Sequence, residues 1–356
     1  MTIHIFNPDH DLALAANLSN FTSPHAGRQL RDDLGFIPAL WAKDGDIVLV
    51  EDADTARNAI RKLKLAVRAD ISFETPKSLH SAIASCQEDL VVMPWGWNKT
   101  LRATLIRYGI PSDVMPDEET LDAIRDLSGR HNAVELLNLF HGTEGLTGYS
   151  EICRSYDEVM RFLTNHTDIV VKAPWSSSGR GVRYIDAETL TDNVQRWIHN
   201  TLKTQGFVVA EKKCQKVMDF AVEYISEKDG SVHPCGLSLF HTANAAYTGN
   251  ILEEEEKKQE MLAQYLSPTL LNQVTEKTAD FLAKKIRGKY CGPLGVDMMV
   301  CAKADNSGFM LNPCIEINLR RTMGHVALAL SSQGQRGNMA VEYEGKSYKL
   351  KIQANG

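Results

Sequence analysis

Two groups of residues in this 356-residue chain have types and spacings suited to phosphate and metal chemistry. The first opens on Ile169-Val170-Val171-Lys172, a buried-strand pattern that ends in a lysine. A buried ammonium is costly unless it meets an anion. Ser176-Ser177-Ser178-Gly179-Arg180-Gly181 follows, then Val182-Arg183-Tyr184-Ile185, a second strand pattern. Hydroxyls, backbone N–H groups and glycines that admit close approach would cradle a di- or triphosphate, with Arg180 adding positive charge. The alternative is an exposed hairpin with a surface lysine. A P-loop differs, since its glycines lead into a helix after G-K-[ST]. The second group is Asp297, Glu316 and Asn318. Strand alternation places Glu316, Asn318 and Arg320 on one face. If the strand holding Asp297 lies alongside, two carboxylates and an amide oxygen converge. Close carboxylates repel or take up a proton unless a cation neutralises them. Hard oxygen donors suit Mg²⁺, which holds one or two carboxylates plus substrate phosphates. The alternative is a polar, solvent-facing side of a strand.

These groups need elements to hold them. Residues 3–6, 46–50, 71–73 and 90–93 are short apolar runs separated by helix-compatible stretches, the pattern of a parallel sheet. Ligands collect beyond the carboxyl ends of such strands. Two loops fall there, Asn7-Pro8-Asp9-His10-Asp11 and Pro94-Trp95-Gly96-Trp97-Asn98-Lys99. The Asp-His-Asp cluster suits a metal, a substrate loop or a helix cap. The paired tryptophans suit a pocket wall or packing anchors. Further strands are expected at Phe220–Ile225, Cys235–Phe240, Gly295–Val300 and Phe309–Asn318. A helix is expected over 267–287, with Ser267 as N-cap, Pro268 at its first position and Gly288 just beyond. Its apolar stripe is Leu270, Leu271, Val274, Phe281, Leu282 and Ile286. Glu253 to Lys258 reads as a solvated charged face. Glu344-Gly345 reads as the turn of a terminal hairpin.

Composition excludes several classes. Hydrophobic residues are 43% and charged residues 24%, ordinary globular usage. The net charge of −6 gives no overall basic excess for nucleic acid or a membrane surface. No apolar run approaches the roughly 20 residues that span a bilayer. Asp9 and Asp11 fall where a signal peptide is apolar. The seven cysteines are scattered and never spaced C-x-x-C, which fits a reduced, cytoplasmic compartment better than a zinc or disulfide framework. The absence of G-x-G-x-x-G argues against a nicotinamide dehydrogenase.

The order of motifs resembles the ATP-grasp superfamily, which includes D-alanine–D-alanine ligase, glutathione synthetase and biotin carboxylase. Lys172 with the Ser176–Gly181 loop resembles its lysine strand and phosphate-covering loop. Val208-Val209-Ala210-Glu211-Lys212-Lys213-Cys214 resembles the hinge along adenine. Asp219, or Glu223 as a rival, resembles the acid that contacts ribose. Asp297 with Glu316-Ile317-Asn318-Leu319-Arg320 resembles the metal-binding Asp and Glu-x-Asn-x-Arg. Ser128-Gly129-Arg130 resembles the start of the first helix, with arginine where lysine is usual.

The resemblance implies an α/β (α+β) fold. A Rossmann-like pre-ATP-grasp substrate domain would occupy 1–115. Two α+β subdomains would sandwich the nucleotide, 116–210 with the phosphate loop and 211–335 with the metal site. A hairpin would occupy 336–356. It implies binding of ATP and of one or two Mg²⁺ ions, with Mn²⁺ as a substitute. Arg130, Lys172 and residues Ser176, Ser177, Ser178, Gly179, Arg180 and Gly181 would hold phosphates. Glu211, Lys212, Lys213, Cys214 and Asp219 would line the nucleoside. Asp297, Glu316 and Asn318 would ligate metal, and Arg320 would stabilise the transferring phosphoryl group. The implied reaction is activation of a carboxylate as an acylphosphate for attack by an amine. The alternatives are a kinase-like phosphotransferase and a nucleotide-binding module without turnover. Asp9, His10, Trp95, Trp97, Arg321, His325 and the His241–Asn250 loop are the places to seek a small-molecule or peptide substrate. A homodimer is common in the family.

Overall fold

The computed structural model describes residues 1–84, 89–176, 181–243 and 246–354. The chain packs as two compact units. The first holds Met1–Arg125, Gly249–Glu254 and Arg320–Gly356, and the second holds Asp126–Thr248 and Glu255–Leu319. Residues 320–335, read from the sequence as the end of a metal-binding segment, and the terminal hairpin thus both return to the first unit.

In the first unit, β1 (Thr2–Ile5) is followed by helices α1 (His10–Ala16) and α2 (His25–Leu34). Then come β2 (Ile47–Leu49), α3 (Ala53–Leu63), β3 (Ser72–Glu74), α4 (Leu79–Ala84), β4 (Val91–Pro94) and α5 (Lys99–Arg107). The four strands form a parallel sheet in the order β3-β2-β1-β4, as their apolar runs and crossover helices require. Alternation splits β1 between two cores. Ile3 and Ile5 pack with Ile47, Leu49, Val92 and Leu105. On the other side Phe6 packs with Val48, Ile37 and Trp95. His4 is buried in that sheet against Asp46 at 3.0 Å, and burial holds its imidazole pKa below the usual value.

In the second unit, α6 (Glu118–Leu127), which begins in the first, leads to α7 (His131–Asn138). A four-stranded sheet follows, built from β5 (Ser150–Cys153), β6 (Ile169–Lys172), β7 (Val182–Ile185) and β8 (Val208–Lys212) in the order β5-β8-β6-β7. Helices α8 (Tyr156–His166) and α9 (Asp192–Gln205) bring Val159, Phe162 and Ile198 onto Ile169, Val171 and Val208. Long strands β9 (Gln215–Ser226) and β10 (Val232–Ala243) come next, and β11 (Ala246–Leu252) runs back into the first unit. After α10 (Glu255–Ala263) and α11 (Pro268–Ile286) come β12 (Gly292–Ala302) and β13 (Phe309–Asn318). Antiparallel pairing orders these strands β13-β12-β9-β10. One face carries Phe220, Val222 and Tyr224 with Val296, Met298 and Leu239, all buried. Tyr224 donates to the Thr275 carbonyl of α11 at 3.3 Å, so this face is the one that α11 covers.

The chain then completes the first unit with α12 (Met323–Ser332), β14 (Gly337–Glu344) and β15 (Ser347–Gln353). The terminal hairpin forms as expected, and Val326, Leu330, Met339 and Leu350 join the core around Phe6.

Three expectations need correction. Ser267 and Pro268 do take the N-cap and first position of α11, but the serine side chain makes no capping bond, and Thr278 and Ala279 take inner positions on that helix while Phe281 lies at its flank. Residues 241–243 and 246–250 are strand rather than loop, consistent with their threonine and tyrosine content. Asn244 and Ala245 lie outside the described residues. Lys258 is not solvated. It is 3% exposed, and its ammonium meets Glu255 at 2.7 Å and the Leu237 carbonyl, which satisfies the buried charge.

Candidate active site

Lys172 is the last residue of β6, and every residue of that strand is buried. Its neighbour β8 pairs Val170 with Glu211, so Glu211 lies diagonally across from the lysine on the same face. Lys172 Nζ meets Glu211 Oε2 at 2.7 Å and donates to the Ile315 carbonyl at 3.2 Å. The pair satisfies a charge that could not otherwise be buried.

Arg130 immediately precedes α7 and is also buried. Its Nη2 donates to Glu316 Oε1 at 2.8 Å, and Nη1 donates to Ser176 Oγ at 2.7 Å and to the Ala173 carbonyl. Its Nε is buried and has no hydrogen-bond partner among the described residues. The Ser128-Gly129-Arg130 motif therefore brings its basic residue to both the phosphate-loop serine and the metal-motif glutamate. Gly181 pairs back to Ala173, which donates its N–H to the Gly181 carbonyl at 2.8 Å. A Cβ at Gly181 would lie 2.2 Å from Ser176 Oγ, so the neck of the loop closes only over glycine. Ser177, Ser178, Gly179 and Arg180 lie outside the described residues.

The predicted metal residues do come together. Asp297 is the cross-strand partner of Glu316, and Gly295 is the partner of Asn318. Directly opposed residues hold their Cβ atoms about 5 Å apart. On the next strand Ala221 opposes Asp297, and Asp219 opposes Met299, so Asp219 and the buried Glu223 share that face. Asp219 accepts from Lys216 at 2.8 Å and from Thr242 at 2.6 Å. Nearby Cys314 reports this gathering of charge. Burial pushes its thiol pKa well up, Glu211, Asp297 and Glu316 push the same way, and Lys172 opposes them. Among the described residues no group of three or more His, Cys, Asp or Glu could hold a metal alone. Two opposed carboxylates and an amide still fit Mg²⁺, whose remaining positions go to water and phosphate oxygens.

The rest of the hinge motif has mixed surroundings. Lys212 ends β8, and Lys213 is engaged by Asp168 at 3.1 Å. The thiols of Cys214 and Cys301 perturb each other, Cys214 downward and Cys301 upward in pKa, while each donates to a backbone carbonyl, of Lys212 and of Met299. Sequence reading did not associate these cysteines, because they meet only through the β9–β12 register, where Cys301 opposes Lys216.

The predicted substrate residues cluster in the first unit, at the carboxyl ends of β1 and β4. Asp9 accepts from Ser23 Oγ. His10 is 1% exposed, and its Nδ1 lies 3.1 Å from the Asn98 side-chain nitrogen. Asn98 is itself held by Leu101 N–H, which donates to its side-chain oxygen at 2.9 Å. Burial lowers the His10 pKa to about 4. Trp95 is buried edge-on to Phe6 at 4.9 Å, and Trp97 packs along the Ile3–Leu105 core. Arg321 stacks over Trp41 at 4.2 Å and donates its N–H to the Trp95 carbonyl at 2.9 Å. His325 forms a capping box with Thr322 at the start of α12. Arg320 forms a two-pronged pair with Asp11, both bonds 2.8 Å. Sequence reading had not paired these two, which lie 309 residues apart.

No family model matches the chain, and no curated protein does. Solved structures do. Biotin carboxylase from Campylobacter jejuni, in complex with a β-γ-ATP ligand, aligns over 98% of this chain and 73% of its own at 14% identity, TM-score 0.52. Pyruvate carboxylase from Rhizobium etli aligns over 92% of this chain and 27% of its own at 15% identity, TM-score 0.53. The architecture and these likenesses give the chain the ATP-grasp fold. No helix among the described residues is long and apolar enough to cross a membrane.

Proposed function

We propose that this chain is an Mg-ATP-dependent ligase that activates a carboxylate as an acylphosphate and joins it to an amine. The observation that carries this reading is the sheet face on which Asp297 opposes Glu316, with Arg130 bonded to that glutamate and Lys172 buried beside Glu211. Two buried cations and two adjacent carboxylates are what a nucleotide triphosphate and its cation need.

Lys172 and Arg130 would bind phosphate oxygens, and the buried Arg130 Nε, without a partner among the described residues, supports this role. The Ser176–Gly181 loop would cover them. Asp297, Glu316 and Asn318 would hold Mg²⁺, which neutralises phosphate charge when bound. A substrate carboxylate oxygen would attack the γ-phosphorus as its bond to the ADP oxygen breaks. The amine would then attack the acyl carbon, phosphate would leave with the electron pair, and the amine would lose its proton to solvent. Positioning and charge neutralisation do most of the work in such transfers. Arg320, two residues beyond Asn318 in the chain, would stabilise charge on the transferring group.

The test is ADP release with Mg-ATP across pools of carboxylic acids, with and without amines and amino acids. Release that needs both partners supports the ligase. Release with an acid alone identifies a phosphotransferase. Mg-ATP binding without release from any pool overturns the enzyme reading in favour of a binding module. Glu316→Gln should abolish Mg²⁺-dependent release while leaving the fold intact, and near-normal release in that variant would overturn the metal assignment.

A further inference from the structure

We infer that Asp11 is a positioning residue for Arg320, an inference that rests on the ligase reading above. Arg320 donates through Nε to Asp11 Oδ1 and through Nη2 to Asp11 Oδ2, each at 2.8 Å, and through Nη1 to the Arg321 carbonyl at 2.9 Å. All three guanidinium nitrogens are engaged, so the plane of the group is set. Such forked pairs are stronger and more directional than single contacts. The two side chains are only 18% and 19% exposed, which limits screening by water.

Both ends of the pair are mounted rigidly. Asp11 lies in the first turn of α1, and its neighbour His10 packs so closely on Gly96 that a Cβ there would come within 2.6 Å of the ring. Asn7 donates to the Gly96 carbonyl at 2.9 Å and accepts from Gly96 N–H at 3.3 Å. On the other side, Arg321 is tied to the Trp95 carbonyl and stacked on Trp41. His10, Trp95 and Arg321, read from the sequence as candidate substrate contacts, thus also brace the Asp11–Arg320 fork.

Asp11→Asn in the full chain tests this. We expect kcat to fall roughly 10- to 100-fold, the size associated with misplacing a reacting group by about 1 Å. Mg-ADP affinity by calorimetry should hold within about twofold, and the melting temperature within a few degrees. In an Arg320→Ala background the same change should have no further effect on kcat. Asp11→Glu, which keeps the charge, should recover part of kcat. In ¹⁵N-arginine spectra the Arg320 Nε–H resonance should be protected from exchange in the wild type and lose that protection in Asp11→Asn. Unchanged kcat or unchanged exchange in Asp11→Asn overturns the proposal, as does loss of activity only in proportion to unfolded protein. A wild type with no turnover in any acid–amine pool overturns the ligase reading and the catalytic role of the fork with it. The exchange experiment would still report the fork itself.

Discussion

Lys172 and Glu211 show what a single buried pair costs to break. Removing one partner of a buried ion pair costs about 3–5 kcal/mol, because the other charge is left without compensation. Lys172→Met should therefore lower stability by that order, as read by urea unfolding. Lys172→Met combined with Glu211→Leu should recover most of the stability while nucleotide binding stays lost, separating the packing role from the phosphate role. His10 carries a pH signature. Its pKa of about 4 in the fold lies below the ordinary 6.5, so the unfolded chain takes up a proton that the folded one refuses. Stability linked to His10 is complete above pH 6.5 and falls as pH drops toward 4. Linkage puts the loss near pH 5 at about 2 kcal/mol. His10→Gln should flatten the decline between pH 7 and 5 in urea midpoints, after allowing for its own cost at neutral pH. An equally steep decline in the variant would show that other groups carry it.

At the scale of elements, the neck of the phosphate loop depends on one glycine. Gly181→Ala would push a methyl into Ser176, whose hydroxyl accepts from Arg130. Overpacking of this kind costs about 1–3 kcal/mol. The strain falls on the loop, so ATP affinity should drop while helix content stays unchanged, as read by calorimetry and circular dichroism. Unaltered affinity would show that the loop neck can shift aside. The elements themselves were largely legible. The apolar runs at 3–6, 46–50, 90–93 and 169–172 mark strands because β-branched residues alternate or cluster over strand lengths. The opposition of Asp297 and Glu316 followed from alternation plus the guess that the strands were neighbours. Other features were out of reach. Arg130 finds Glu316 across 186 residues, and no local pattern encodes that meeting. Lys258 read as solvated because a charge run carries no sign of the carboxylate and carbonyl that await one member in the interior.

At the scale of the whole molecule, the first unit is discontinuous. Its core joins Phe6, Ile37 and Val48 to Val326, Leu330, Met339 and Leu350. A chain ending at 319 should lack that closure and show poorly dispersed amide resonances for residues 1–125. The second unit, whose strand core around Ile169 and Val208 draws on residues 153–210, should keep native-like shifts there. Native-like shifts for residues 1–125 in the shortened chain would show that the late segments only decorate a complete core.

This discontinuity also has a consequence in time. A chain emerging from the ribosome presents β1 more than 300 residues before the hairpin that covers its core. At about 5–20 residues per second, translation leaves roughly a quarter of a minute to a minute between Phe6 and Leu350. The first unit must spend that interval with apolar surface open, while the second can close in its middle. Cells that make this protein would then need a holding chaperone most while residues 126–350 are being added to the exposed 1–125 segment. Synthesis halted just before residue 320 would leave one finished unit and one that never closed.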